Sequence, residues 1–251
     1  MPEIIALLHG STSSLAAFLA SLVECVEALT IVLAVGATRG WRSVLLGTAA
    51  GLLLLIVLVL VFNPLLRHLP IPIAWLQISL GGLLFVFGMN WLRKAVLRAA
   101  GKKPLHDQAV IYQEEMSEME RVGKVQGQWD WIALVTGFKA VVLEGVEVVF
   151  IVVAVGAAEA SLLPAALGAA LAMLVVVGLG LLLHRPLMRV PENSLKFGVG
   201  VILSAFGVFW MGKGSGFEWP GDDLAILGLM IGLLIAALLS VKWIQGNSNT
   251  N

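Results

Sequence analysis

One cysteine, Cys25, stands in 251 residues, so no intramolecular disulfide can form and no thiolate cluster can bind metal. Charge is scarce too: 13% of residues are Asp, Glu, Lys or Arg against 59% apolar, with a mean hydropathy of +0.96. A water-facing surface needs far more polar groups, which excludes an ordinary soluble domain. No histidine falls at the centre of a long apolar run and no His-Glu-x-x-His motif occurs, which argues against an intramembrane hydrolase and, with it, an enzyme. No nucleic-acid partner and no resident cofactor are expected.

What the chain has instead is long apolar runs. SVLLGTAAGLLLLIVLVLVF (43–62) holds no charge and is long enough to cross the hydrocarbon core as a helix. Seven spans are predicted, over roughly 13–37, 43–65, 73–92, 131–157, 161–184, 194–212 and 223–243. Arg39-Gly40 ends the first and Asn63-Pro64 the second. Pro72 opens the third, and Ser161 with Pro164 suits the first turn of the fifth. Asn193 or Ser194 is expected to cap the sixth, and Asp222 or Asp223 the seventh. The opening residues MPEIIALLHG lack a basic n-region and a cleavage site, so the first span is expected to be retained.

Lys and Arg set the orientation. With the 93–130 connection inside the cell, that side receives Arg39, Arg42, Arg93, Lys94, Arg98, Lys102, Lys103, Arg121, Lys124, Arg185, Arg189, Lys196 and Lys242. The other side receives Arg67 and Lys213, and Lys139 falls within a span. The positive-inside bias predicts the N-terminus outside and the C-terminus inside, in an integral membrane protein of the bacterial inner membrane. All 8 tryptophans lie at or near predicted span ends, as an aromatic belt requires.

The chain also repeats itself. Glu24-Cys25-Val26-Glu27, followed by Ala34-Val35-Gly36-Ala37, returns as Glu144-Gly145-Val146-Glu147, followed by Ala154-Val155-Gly156-Ala157. Pro64-Leu65 with Arg67 resembles Pro186-Leu187 with Arg189, and LQISLGGLLFVFGMNWLRK (76–94) aligns with LKFGVGVILSAFGVFWMGK (195–213). Three spans per unit is an odd number, so the second unit is expected to run inverted to the first. Such a 3+3 arrangement in transporters places the substrate site near the midplane. The expected fold is thus an all-α membrane protein. Residues 1–97 and 131–213 form the two repeats, 98–130 a cytoplasmic connection, and 214–251 an outside loop, an extra seventh helix and a short tail.

Glu24 and Glu144 lie midway along spans one and four. An ionisable group at that depth costs about 2.5–3.5 kcal/mol on insertion scales, so the carboxyls must face the bundle interior. Spacing of i and i+3 puts Glu24 with Glu27, and Glu144 with Glu147, on one helix face each, and Ser21 and Thr30 extend the first stripe. Cys25 points about 130° away and reads as a small apolar filler. Lys139 either snorkels to the interface or serves as the counter-charge. Four convergent carboxylates make an oxygen-rich site for a hard cation, and like charges held together favour exchange of metal for protons. The alternative is that the Glu pairs only hydrogen-bond the helices together.

At these motifs the sequence resembles the iron permease (iron–lead transporter) family of the lysine-exporter superfamily. It is also similar to a cation/proton exchanger group with Glu-x-Gly-Asp motifs on the same two helices. The resemblance implies seven spans, an outside N-terminus, and Glu24, Glu27, Glu144 and Glu147 as ligands of a transported metal cation. Val23 and Leu143 stand where that family carries arginine, so the expected cargo is the wider class of iron, manganese or calcium. Export of a small organic cation or amino acid is the alternative within the superfamily, and a non-transporting assembly component the alternative outside it. Expected partners are the bilayer, the cation, protons and, in a homo-oligomer, further copies of the chain.

The loops offer two lesser candidates. HDQAVIYQEEMSEMERVGK reads as an amphipathic helix, with Ile111, Met116 and Met119 to one side. Its Glu115 and Glu118 repeat the Glu-x-x-Glu spacing beside His106, Asp107 and Glu114, as a loop motif does in iron permeases. Either they hand over metal or the helix simply lies solvated under the bundle. Outside, Glu218, Asp222 and Asp223 either concentrate cations or start the seventh helix. His68 and His184 fall at span ends on opposite sides and form no common site.

Overall fold

Apolar runs bounded by Gly, Pro and basic residues become helices throughout. The structure is a computed structural model, and it describes residues 2–68, 72–105, 107–121, 129–158, 162–182 and 192–248, with side chains of 2–13, 62–68, 157–158, 181–182 and 247–248 left out. His68, His106, Lys124, Ser161, His184 and the 186–189 repeat segment therefore lie outside the described side chains. The helices are α1 (Pro2–Arg39), α2 (Trp41–His68), α3 (Ile73–Ala99), α4 (Gln108–Arg121), α5 (Trp131–Ala158), α6 (Leu163–Leu182), α7 (Glu192–Gly214) and α8 (Leu224–Ser248). Among the described residues there is no strand.

Six of these are long and apolar enough to cross a bilayer: α1 from Ser14, α2, α3, α6, α7 and α8. Helix α5 is 28 residues long and strongly apolar but carries Lys139, Glu144 and Glu147. Leu53, Leu60, Leu174 and Leu239 are each more than 60% exposed. That outward apolar surface suits lipid, where helices satisfy their own backbone groups. The chain is an all-helical membrane protein.

Three helix pairs form the frame: α3 with α7, α2 with α5, and α1 with α6. Glycine lets them close. A Cβ on Gly47 of α2 would lie 2.0 Å from the Leu134 carbonyl oxygen, and one on Gly168 of α6 would lie 2.2 Å from that of Ser14. Ser14 and Leu134 stand at equal distances before Glu24 and Glu144. Gly47, Gly51 and Leu55 meet Leu134, Val141 and Gly145 in turn, so α2 and α5 run parallel. Gly81 meets Met211 and Gly88 meets Ser204, so α3 and α7 run antiparallel. Small residues of this kind are what membrane helices use to approach one another.

Several sequence expectations are corrected. Pro64 does not end α2, which continues to His68; a proline in the closing turns costs little because few hydrogen bonds remain beyond it. Helix α7 begins at Glu192, ahead of Asn193 and Ser194. Trp91 and Trp210 are only 5% and 6% exposed. They belong to the packed interior rather than to an aromatic belt, because α3 runs on to Ala99 and Trp91 packs against Val199 and Leu203 of α7. Helix α4 is present but does not simply lie in solvent: it packs on α1, with Met119 among Val32 and Val35 and Tyr112 among Val26 and Leu33.

The closing ends of α1 and α4 and the opening ends of α2 and α5 meet at one polar junction. Arg39, 1% exposed, donates from Nε to Asp130 Oδ2 (2.7 Å), from Nη2 to Asp130 Oδ1 (3.2 Å) and from Nη1 to the Met119 carbonyl (3.1 Å). Asp130 caps α5 by accepting the Ala133 amide at 3.0 Å, and its own amide donates to Ser43 Oγ at 3.0 Å. Burial opposes charge on Asp130, but the Arg39 and Ala133 donors outweigh it and hold its carboxyl below the usual carboxylate range. Asp130→Asn is therefore expected to lower stability by about 1.5 kcal/mol at neutral pH. A group with a depressed folded-state pKa contributes stability above its unfolded value and loses it as pH falls through the folded one. Melts of both proteins in detergent should converge in acid; a gap that stays constant across that range contradicts the assignment.

Candidate cation site

Where α1 and α5 face each other at mid-helix, the i, i+3 spacing brings their acids together. Glu24, Glu27 and Glu144 each offer a carboxylate oxygen, and these oxygens all lie within 4.8 Å of one another. This is the group of His, Cys, Asp or Glu that converges tightly enough to hold an ion among the described residues. Glu24 is 1% exposed, and neither of its oxygens meets a hydrogen-bond donor. Glu147 stands one turn further along α5, outside the triad but within electrostatic reach of Glu144, Glu27, Lys196 and Lys94.

The secondary candidates divide. Ser21 is fully buried with a hydroxyl that finds no partner. Thr30 turns its hydroxyl back onto the Val26 carbonyl at 2.8 Å, so it is spent within its own helix. Lys139 is exposed on α5 and does not face the acids, which fits a snorkelling side chain. Cys25 packs with Leu22, Leu29 and Val176 and its sulfur stays out of the oxygen cluster. Glu118 is exposed and Glu115 half-buried. Burial, then Glu118 and Glu114, push the Glu115 carboxyl up, yet no ion-holding group forms there among the described residues.

The counter-charge comes from a residue that sequence reasoning assigned only to the cytoplasmic tally. Lys196, on α7, donates its ammonium to Glu27 Oε1 and lies 3.3 Å from Glu192 Oε1. The ammonium also sits 5.4 Å above the Trp91 ring, a favourable cation–π position. Glu192, 1% exposed, accepts a further hydrogen bond from Gln108 Nε2 at the start of α4. Two signals pointed this way: the i, i+4 spacing of Glu192 and Lys196, and the alignment of 76–94 with 195–213, in which Lys196 falls opposite neutral Gln77.

A cavity of about 400 Å³ opens beside the acids between α1, α2, α5 and α6. Glu24 and Glu144 form part of its wall, with Cys25, Thr48, Leu52 and Met173 among the rest. Apart from the two carboxyls and the Thr48 hydroxyl its lining is apolar, so it holds the acids in a low-dielectric setting where their mutual repulsion is strong.

Ionised together, three carboxyls beside one tethered ammonium would leave the cluster negative. Buried charge of that kind is stable only when compensated, by protons or by a cation. Oxygen donors of this sort suit hard ions. No protein-family description, curated protein or solved structure matches this chain.

Proposed function

We propose that the chain is a membrane transporter that carries a multivalent metal cation, of the iron, manganese or calcium class, through the cluster of Glu24, Glu27 and Glu144, with Glu147 one turn further along the path. The observation that carries this reading is a fully buried, donor-free Glu24 whose oxygens lie beside those of Glu27 and Glu144. Protons neutralise the acids when the ion leaves, which couples the two in opposite directions. On this reading α5 is a seventh span despite its three charges, since Glu144 and Glu147 turn inward. The parallel α2/α5 packing, the α1/α6 counterpart and the antiparallel α3/α7 pair support a 3+3 inverted repeat. The Lys and Arg distribution supports an outside N-terminus and an inside C-terminus in a bacterial inner membrane.

Reconstitution in liposomes tests it. Uptake of iron, manganese and calcium is followed with an internal pH dye, and at least one ion is expected to drive a proton signal. Flux of none of them overturns the proposal. Glu115→Gln and Glu118→Gln are expected to leave that flux unchanged, because neither acid joins the cluster; a loss of flux in either would move the path onto α4.

A further inference from the structure

Lys196 has two carboxylates within its reach and one of them belongs to the carboxylate cluster. We infer that the Lys196 ammonium is a tethered surrogate cation that fills the Glu27 corner of the site between cargo ions and withdraws to Glu192 when a multivalent ion arrives, so that monovalent cations are refused. The inference rests on the metal-transport reading and adds a specificity-determining residue to it.

The geometry supplies both positions. In the first, the ammonium bonds Glu27 and lies over Trp91. The second is Glu192 Oε1, already 3.3 Å away, one helical turn back on the same helix. Glu192 is held there by Gln108 of α4, so the withdrawn ammonium has a fixed carboxylate to meet. A lysine stem with four methylenes covers such a shift by rotamer change. The side chain remains charged throughout, and no proton needs to move on it.

Selectivity follows from competition. A ligand tethered to its own site binds intramolecularly, at a local concentration that free ions in solution do not match. Sodium or potassium would bring one charge to replace one charge already present, and gains nothing by the exchange. A divalent ion brings two charges to Glu24, Glu27 and Glu144 together, and Coulomb attraction in a poorly screened interior roughly doubles with it. The acids alone would draw in any cation; the lysine sets the threshold.

The full-length protein in nanodiscs is titrated calorimetrically with Mn²⁺ alone, in sodium chloride and in choline chloride of equal ionic strength. Wild type is expected to bind Mn²⁺ equally in both salts. Lys196→Met is expected to bind at least about tenfold more tightly in choline, and to lose that gain in sodium, which now enters the site. Lys196→Arg should keep the wild-type pattern. Glu192→Gln removes the withdrawn position, so it should weaken Mn²⁺ binding in wild type and change nothing in the Lys196→Met background.

Wild-type binding of Mn²⁺ with no tightening in Lys196→Met overturns the surrogate-cation role while leaving the transport reading intact. A purely structural ion pair predicts that outcome, with both single variants merely less stable. If Lys196→Met does not fold, an unweakened Glu192→Gln overturns the role by itself. Failure of wild type to bind Mn²⁺, iron or calcium overturns the transport reading and this role with it.

Discussion

Glutamine at position 24 or 144 is expected to cut metal-dependent flux by at least about tenfold while the protein stays as heat-resistant as before, or becomes more so. The flux argument is electrostatic: each carboxylate that contacts an ion in a dry interior contributes a charge-assisted interaction of about 1.5–3 kcal/mol, equivalent to tenfold or more in affinity. An amide of the same shape contributes a neutral oxygen and loses most of that. The stability argument has the opposite sign. Glu24 is buried with no donor on either oxygen, so its charge is a liability to the fold, and a neutral amide can donate to the neighbouring Glu144. The two readouts together separate transport from helix-bonding by the Glu pairs. If the acids only joined α1 to α5, glutamine would lower the melting temperature and leave flux, if any, untouched. Glu27→Gln serves as the contrast, because it also deprives Lys196 of a partner and should lose both flux and stability. A Glu24→Gln protein with full flux would sink the cluster as the transport path.

The parts of this molecule that could be read from the chain are those governed by local period and by bilayer thickness. Apolar runs gave helices at every predicted span, and the i, i+3 spacing correctly turned Glu24 and Glu27 to one face, since both effects act within a single helix. The acids of α1 and α5 meet, as an interior-facing requirement on both demands. What stayed hidden depends on contacts between helices far apart in sequence. Lys196 reads as a cytoplasmic charge because it lies near a predicted span end, and the contact of α7 with α1 brings it to Glu27. Lys139, nearer to Glu144 along the chain, was the more natural candidate and faces outward instead. Gln108 sits in what reads as a solvated connection, and the apolar side formed by Ile111, Met116 and Met119 does not say that α4 folds back along α1. Trp91 misled for a related reason: an aromatic near a span end reads as a belt residue unless the helix is known to continue.

Leucine at Gly47 or Gly168 is expected to lower stability by about 3 kcal/mol or to prevent folding, and the same change at Gly178 to cost almost nothing. At Gly47 a first side-chain carbon would fall 2.0 Å from a backbone carbonyl oxygen of α5, and at Gly168 2.2 Å from one of α1. Backbone cannot rotate out of the way as a flexible side chain can, so the helices themselves must part. Overpacking ordinarily costs about 1–3 kcal/mol, and an obstacle made of backbone puts these two at the upper end. Gly178 lies on α6 as Gly168 does, but nothing stands within 4 Å of the carbon it would gain, so helix propensity there even favours the change. Because α2/α5 and α1/α6 hold the acid-bearing helices from either side, parting them also spreads Glu24 from Glu144. Thermal melts in detergent measure the first effect and Mn²⁺ titration the second. Both glycine variants should lose stability and ion affinity together, whereas Glu24→Gln loses affinity alone. A Gly47→Leu protein that melts like wild type would mean that α2 and α5 do not approach as closely as the carbonyl contact requires.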